Sequence, residues 1–459
     1  MALPPFLKKF TILLTVVTVI FNLYIYTYPS LSSKQCSWKC HEQSTDQDQP
    51  NLVVEYFRDL FQRHDKSDSA DVKLMALGDP QIKGIWSNTP YISRLDTYGN
   101  DYYLGHIFRT MYNRLKPSHV VVMGDLFSSQ WIGDSEFFNR TVRYTKRLFN
   151  RDVKWLYDLQ EESHAEDGTY AADWKEWADN LNRIREAGSP MNISYGYENV
   201  YNWTASENYL FINISGNHDI GYSGDATYQH MARYRELLGK DNYWIEYDAG
   251  TDRAWRIVVL NDLLLEGPAL QPELLEVNEE FLRRLADQKF NGSTVLLTHI
   301  PFYKPTGLCY DGPEFRYYPE NYENEPYKVG LLRSQNHLSA KVSNKVLNLL
   351  FDTEHPGIIL TGHDHEGCET VYNKDRSTGT WTASKTPDPE SLSIKEVTVR
   401  SMMGEFHGNT GLVTGRFNES TRQWEWDFNL CPFTIQHVWW FTKIITIITG
   451  FFWSLAFFF

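Results

Sequence analysis

Five apolar runs along this chain end in the same kind of polar loop. Val72–Leu77 breaks at Gly78-Asp79-Pro80-Gln81, and residues 119–123 break at Gly124-Asp125. Residues 209–214 end in Ser215-Gly216-Asn217-His218-Asp219. Ser293–Leu297 runs into Thr298-His299-Ile300-Pro301, and residues 357–360 run into Thr361-Gly362-His363-Asp364-His365. Short continuous apolar runs bounded by turn residues are the pattern of strands buried on both faces. Two more strands are predicted at 243–247 and 255–260. Helical spacing occupies the intervals at 102–115, 134–149, 272–288 and 340–351. In the third of these, Leu274, Leu275, Phe281, Leu282 and Leu285 form one stripe. Residues 366–430 read as short β segments with turns, and 302–327 as a long Tyr-, Pro- and Glu-rich loop. Residues 151–201, rich in Trp, Glu and Asp, read as an insertion. Alternating strands and helices predict an α/β layered core with helices outside. Polar strand ends then converge on one edge, where open α/β sheets bind ligands.

The two ends follow another pattern. Residues 10–28 carry no charge, follow Lys8-Lys9 and are long enough to cross a bilayer core. The run leads into Tyr-rich sequence and Pro29 instead of a small-residue cleavage site, so it reads as an uncleaved anchor. The tendency of basic flanks to stay in the cytosol places residues 1–9 there. A stalk with one helix at 52–63 (29–70) and a folded domain (71–430) follow on the opposite side. Residues 438–459 are apolar apart from Lys443 and a few hydroxyls, with Trp439 and Trp440 where an interfacial belt falls. A second span is predicted there, returning the chain to the cytosol. A removable lipid-anchor signal is the lesser reading, because no small-residue site with a polar spacer precedes the run.

Composition narrows the function. A formal charge of −14 over 459 residues argues against nucleic acid as the partner. Six Asn-x-Ser/Thr sequons agree with a lumenal address. Asn213 falls inside a buried strand, which leaves Asn139, Asn192, Asn202, Asn291 and Asn418 as glycosylation candidates. Five cysteines permit disulfides with one left over, and the pairing stays open. Aromatic residues make up 15% of the chain, which suits glycan-handling surfaces, membrane belts and ordinary cores alike.

Each polar strand end taken singly is an ordinary turn. Together they bring Asp79, Gln81, Asp125, Asn217, His299, His363 and His365 to one edge. Carboxylate, amide and imidazole donors suit two divalent ions, Mn first with Fe or Zn as alternatives, over a thiolate site. Two ions about 3.5–4 Å apart need a bridging carboxylate and can clamp both oxygens of an in-line displacement.

The ordered set GD, GD, GNHD, H and GHxH resembles the calcineurin-like metallophosphoesterase superfamily, over residues 71 to about 418. That resemblance implies a four-layer α-β-β-α sandwich with two sheets, here flanked by terminal transmembrane helices. The wording GDPQI and GHDHEGC, with two anchors, resembles the branch that remodels GPI-anchor glycans in the endoplasmic reticulum. That branch removes an ethanolamine-phosphate side branch from a mannose. By this resemblance Asp79 and His365 hold the first ion, Asp125 bridges, and Asn217, His299 and His363 hold the second. The chain departs from the superfamily at Gln81, where most members have histidine. His218 is the candidate proton donor to the leaving alkoxide, with Asp219 to orient it or touch substrate, and His407 is a candidate substrate contact. The implied substrates are GPI lipids or GPI-anchored proteins, with a link to export from the endoplasmic reticulum. The alternatives are a phosphoesterase on another lumenal substrate, or a non-catalytic membrane adaptor for cargo export that kept the fold and lost ion binding through Gln81.

Overall fold

The structure, a computed structural model, describes residues 5–31, 36–38, 70–86, 88–186, 207–351 and 355–458. The helix expected at 52–63, Cys40, and the sequons at Asn192 and Asn202 lie outside the described residues.

Two sheets face each other. The first has the order β14-β13-β1-β2-β3, with β1 (Val72–Leu77), β2 (His119–Val122) and β3 (Leu210–Asn213) mutually parallel. The antiparallel pair β13 (Asn409–Asn418) and β14 (Gln423–Pro432) extends it beside β1. The second has the order β11-β10-β12-β9-β6-β5-β4. Its parallel centre is β5 (Trp255–Val259), β6 (Ser293–Leu297), β9 (Ile358–Thr361) and β12 (Leu392–Thr398). The edges are β4 (Tyr243–Tyr247), β10 (Cys368–Lys374) and β11 (Trp381–Ser384).

Pleating explains why the central strands read as unbroken apolar runs. Leu74 and Ala76 of β1 point between the sheets, into a layer with Val121, Ile212, Ile257, Leu297 and Leu360. Their neighbours Met75 and Leu77 point outward to the helices. Over the first sheet lies α2 (Tyr91–Leu115), with Phe108 edge-on to Tyr209 beside β3. Over the second lie α7 (Pro272–Asp287) and α8 (Ala340–Leu350), with Phe281 stacked on Trp244 of β4. The four layers of the α-β-β-α sandwich are therefore all present.

Several elements differ from the sequence expectation. The interval 134–149 is not one helix: α3 (Asp134–Arg143) passes into a π-helical turn, Tyr144–Leu148. In the insertion, α4 (Lys154–Glu162) and α5 (Trp174–Glu186) are ordered helices. A further helix, α6 (Tyr228–Leu238), starts at the Thr227 cap, whose hydroxyl accepts the His230 N–H. The long Tyr-rich loop contains β7 (Phe315–Tyr317), which pairs with β8 (Leu332–Gln335). β13 and β14 are long strands rather than short segments.

The end helices are α1 (Pro5–Leu31) and α9 (Gln436–Phe458), both long and apolar enough to cross a membrane. They meet along a polar seam. The Thr18 and Thr449 hydroxyls lie 2.7 Å apart, Asn22 Nδ2 donates to Thr446 Oγ1, and Trp453 Nε1 donates to Thr15 Oγ1. Outward residues such as Leu13, Ile20 and Ile447 stay exposed, as lipid-facing side chains are. A disulfide, Cys36–Cys431, joins the segment after α1 to the end of β14. A second, Cys309–Cys368, ties the loop after β6 to the start of β10.

Candidate metal centre

β1, β2, β3, β6 and β9 deliver their loops to one edge between the sheets. The first two loops are laddered together, since Gln81 N–H donates to the Asp125 carbonyl and Ile82 N–H to the Leu126 carbonyl, both at 2.9 Å. Asp79, Gln81, Asp125 and His363 all take left-handed backbone conformations, with φ of 39°, 42°, 47° and 72°. Such conformations are costly for these residues, and they cluster where the chain turns side chains into a site. Close packing also dictates two glycines. A Cβ on Gly124 would fall 2.3 Å from His299 Nδ1, and one on Gly216 would fall 2.3 Å from Asp125 Oδ1.

The side chains form two groups that share Asp125: Asp125, His299 and His363 on one side, and Asp79, Asp125 and His365 on the other. The first of these has a hole for a cation. His299 Nδ1 points at the Met123 carbonyl, 2.7 Å away, and His363 Nε2 at the Gln335 carbonyl, 3.0 Å away. A carbonyl only accepts, so these nitrogens carry the ring protons. Their partners, His299 Nε2 and His363 Nδ1, then present lone pairs 3.2 and 3.0 Å from Asn217 Oδ1. Burial lowers both imidazoles, His363 to about 3, so neither ring takes a second proton. Asp125 Oδ1 lies 3.4 Å from His299 Nε2. Four acceptors converge there without a hydrogen among them, an arrangement that suits a divalent ion.

In the other group, Asp79 Oδ1 accepts the His363 N–H at 3.2 Å. Its Oδ2 is buried and finds no hydrogen-bond partner among the described residues. Burial, and then the charge of Asp125, push the Asp79 carboxyl well above the ordinary range. Two buried carboxylates this close call for a cation as well. Gln81 extends its amide into this group, with Nε2 3.3 Å from Asp125 Oδ2 and 3.2 Å from His365 Nε2. In this orientation the amide nitrogen donates to the shared carboxylate.

His218 sits above the pair. Its N–H donates to Asp125 Oδ1 at 2.8 Å, its Nε2 is 3.8 Å from Asp125 Oδ2, and its side chain is 37% exposed. With Asn217 and Tyr222 it lines a cleft of about 530 Å³ whose far wall carries Trp131, Tyr318 and Arg333. The Tyr-rich loop thus contributes to a cleft wall. In the insertion, Trp177 is instead packed on Tyr228 under the Arg235 guanidinium.

Asp219 has a different place from the one expected. It is fully buried and accepts the N–H groups of Gly216, Leu126 and Phe127 at 2.8, 3.3 and 3.2 Å. It ties two site loops together; with no exposed surface it does not reach substrate, and its oxygens are taken by backbone amides rather than by His218. His407 is exposed in a left-handed turn, and its neighbour Phe406 is the ring that meets His365, 5.0 Å between centroids.

Two residues were missed in the sequence. Asp262 accepts the His299 and Ile300 N–H groups at 3.4 and 3.1 Å, and burial raises its carboxyl to about 7. Gln335, in a strand the pattern did not mark, supplies the carbonyl that orients His363. Among the candidate glycosylation sites, Asn139 and Asn291 are exposed and Asn418 is half-buried. Asn213 is buried between Tyr144 and the Leu238 carbonyl.

No family model matches the chain. It is 58% identical to Protein TED1 of Saccharomyces cerevisiae, over 97% of this chain and 98% of that one. It is 23% identical to Metallophosphoesterase 1 of Danio rerio, over 46% of this chain and 51% of the relative. The chain belongs to the calcineurin-like metallophosphoesterases. Among solved structures it is similar to GAP50, the anchor in the inner membrane complex of Plasmodium, with a TM-score of 0.34 and 11% identity, over 79% of this chain and 89% of that one. The two acidic and imidazole-rich groups lie on a chain with two helices long and apolar enough to cross a membrane.

Proposed function

We propose that this metallophosphoesterase is a dinuclear phosphodiesterase of the endoplasmic reticulum lumen that removes ethanolamine phosphate from a mannose of GPI anchors. The observation that carries the reading is the pair of donor groups sharing Asp125 beneath His218, at the floor of an aromatic-walled cleft. Asp79 and His365 would hold one ion, with Gln81 beside it. Asn217, His299 and His363 would hold the other. When bound, such ions supply Lewis-acid stabilisation of phosphoryl oxygens and lower the pKa of water.

The chain's own residues do the rest. Asp125 accepts the His218 backbone N–H, and the His218 side chain lines the cleft with Nε2 3.8 Å from Asp125 Oδ2. From there His218 protonates the departing sugar alkoxide. Exposed Trp131 offers an apolar face to a sugar, and exposed Arg333 offers a cation to the phosphodiester. Disulfides are stable in oxidising compartments, which supports a lumenal domain, as do the exposed sequons and Lys8-Lys9 before α1.

The test is incubation of the full chain in nanodiscs, loaded with Mn, with a GPI glycan bearing ethanolamine phosphate. Released ethanolamine phosphate is expected; none from protein with two ions bound refutes the reading. Gln81 motivates a second reading, a cargo-export adaptor without catalysis, because its amide donates to Asp125 where the superfamily places an imidazole. Fewer than two ions per chain at saturating Mn would favour it.

A further inference from the structure

Helix α2 lies across the place where both end helices meet the folded domain. Asn100 accepts from Gln436 Nε2 at 3.4 Å, and the Tyr103 hydroxyl donates to the Thr434 carbonyl at 2.8 Å. At Gly99 any side chain would collide with the Trp440 indole. Tyr103 and His106 stand edge-on or tilted to Trp439, and His106 also meets the Tyr26 ring and the Ile25 carbonyl. The residues of α2 at 99, 103 and 106 thus touch the aromatic belt of both spans.

Residues on one helix face recur at intervals of three and four. Carried back toward the N-terminus, the face at 99, 103 and 106 continues through Leu95 and Ile92. Here the helix has run past the belt and, among the described residues, nothing covers it. Ile92 is 79% exposed and Leu95 45%, with Tyr91 at 74% and Tyr98 flanking. Ser93 and Arg94 occupy the opposite side, and the Arg94 guanidinium is bonded back to the Thr89 and Trp86 carbonyls. An exposed apolar stripe rimmed by polar groups marks an interaction surface. An amphipathic segment with aromatic edges suits the headgroup level of a bilayer. The stripe is continuous with the aromatic belt of two helices long and apolar enough to cross a membrane, which argues for lipid as its occupant.

We propose that the first two turns of α2 lie in the membrane interface as a third contact, presenting Ile92 and Leu95 to acyl chains with Tyr91 and Tyr98 at the headgroups. The exposed carboxylate of Asp96, one turn from Ile92, is part of the polar rim of the stripe. Residues 82–90 join Gln81 to the start of α2, so the contact is linked along the chain to the Gln81 loop. The inference depends on the spans and not on the identity of the substrate.

The experiment uses the full chain, with Cys40→Ser, in nanodiscs of phosphatidylcholine and phosphatidylserine. Nitroxide labels are placed by Ile92→Cys, Leu95→Cys and Ser93→Cys. Asp287→Cys on α7, in the opposite outer layer, is the control. At 92 and 95 the collision rate with oxygen is expected to exceed that with a water-soluble nickel chelate severalfold, and at 93 and 287 the order is expected to reverse. Equal behaviour at 92, 95 and 287 overturns the proposal. Low access to both probes at 92 and 95, as a protein partner or a second copy would give, also overturns it. Thermal transitions matching the parent establish that each labelled variant is folded.

Discussion

The two halves of the metal centre are built to different standards. Around His299 and His363 every ring has its second nitrogen on a backbone carbonyl, and Asp262 holds the loop below. Around Asp79 and His365 the supports are thinner: an orphaned carboxylate oxygen, a phenyl edge, and an amide that donates where a ligand is wanted. Both halves draw on strand-end loops and share one carboxylate, so the difference lies in what orients the donors. The half organised by backbone carbonyls should bind its ion first and more tightly, and the half containing Gln81 should fill last.

Removing what the halves share is the harshest test. Asp125→Ala is expected to abolish binding of both ions and to lower turnover by about a thousandfold or more, roughly 4 kcal/mol. Elemental analysis of the purified variant checks it, and retention of two ions would break the comparison.

Acid separates the centre from its scaffold. His119, at the opposite end of β2 from Asp125, is buried between the Ser118 and Tyr247 hydroxyls, and burial lowers it to about 4. Between pH 6.5 and 4 the unfolded chain binds a proton there that the folded chain refuses. Stability from this residue is therefore intact above pH 6.5 and lost as the pH falls through that window, by on the order of 3 kcal/mol. The loss should persist in chelated protein and shrink in His119→Gln, as read by denaturant melts across pH.

Asp262→Ala should act on one half alone. It frees the His299 loop and should weaken the second ion by about 10- to 100-fold, the usual effect of losing an outer support. Metal titration should show the ion at Asp79 and His365 unmoved. The smallest change is Gln81→His, which restores an imidazole and is expected to tighten the first ion by about tenfold, or about 1.4 kcal/mol. Calorimetry that finds no change would mean that residue 81 does not face the ion.

The five strand ends were legible because buried parallel strands leave unbroken apolar runs and their loops follow at once. What stayed hidden depends on partners far along the chain. The first half of α2, with Ser93, Thr97, Gly99 and Asn100, reads as a poor helix; it forms because Trp440 packs on Gly99 and because Arg143 and Arg147 bind Asp101. Asp219 reads as a free carboxylate because no local pattern reveals that Leu126 and Phe127 direct their amides at it. The disulfide pairing was open for the same reason: Cys36 and Cys431 meet only once the end helices come together.

That disulfide sets a length. It clasps the chain where α1 and α9 enter the domain, so the domain hangs from two joined points instead of swinging on one. With both end helices in a bilayer, the height of His218 above it would become a property of the fold. Under the proposed function, a phosphoester carried on a lipid-linked glycan would then be selected partly by reach, that is, by how many sugars separate its bond from the membrane.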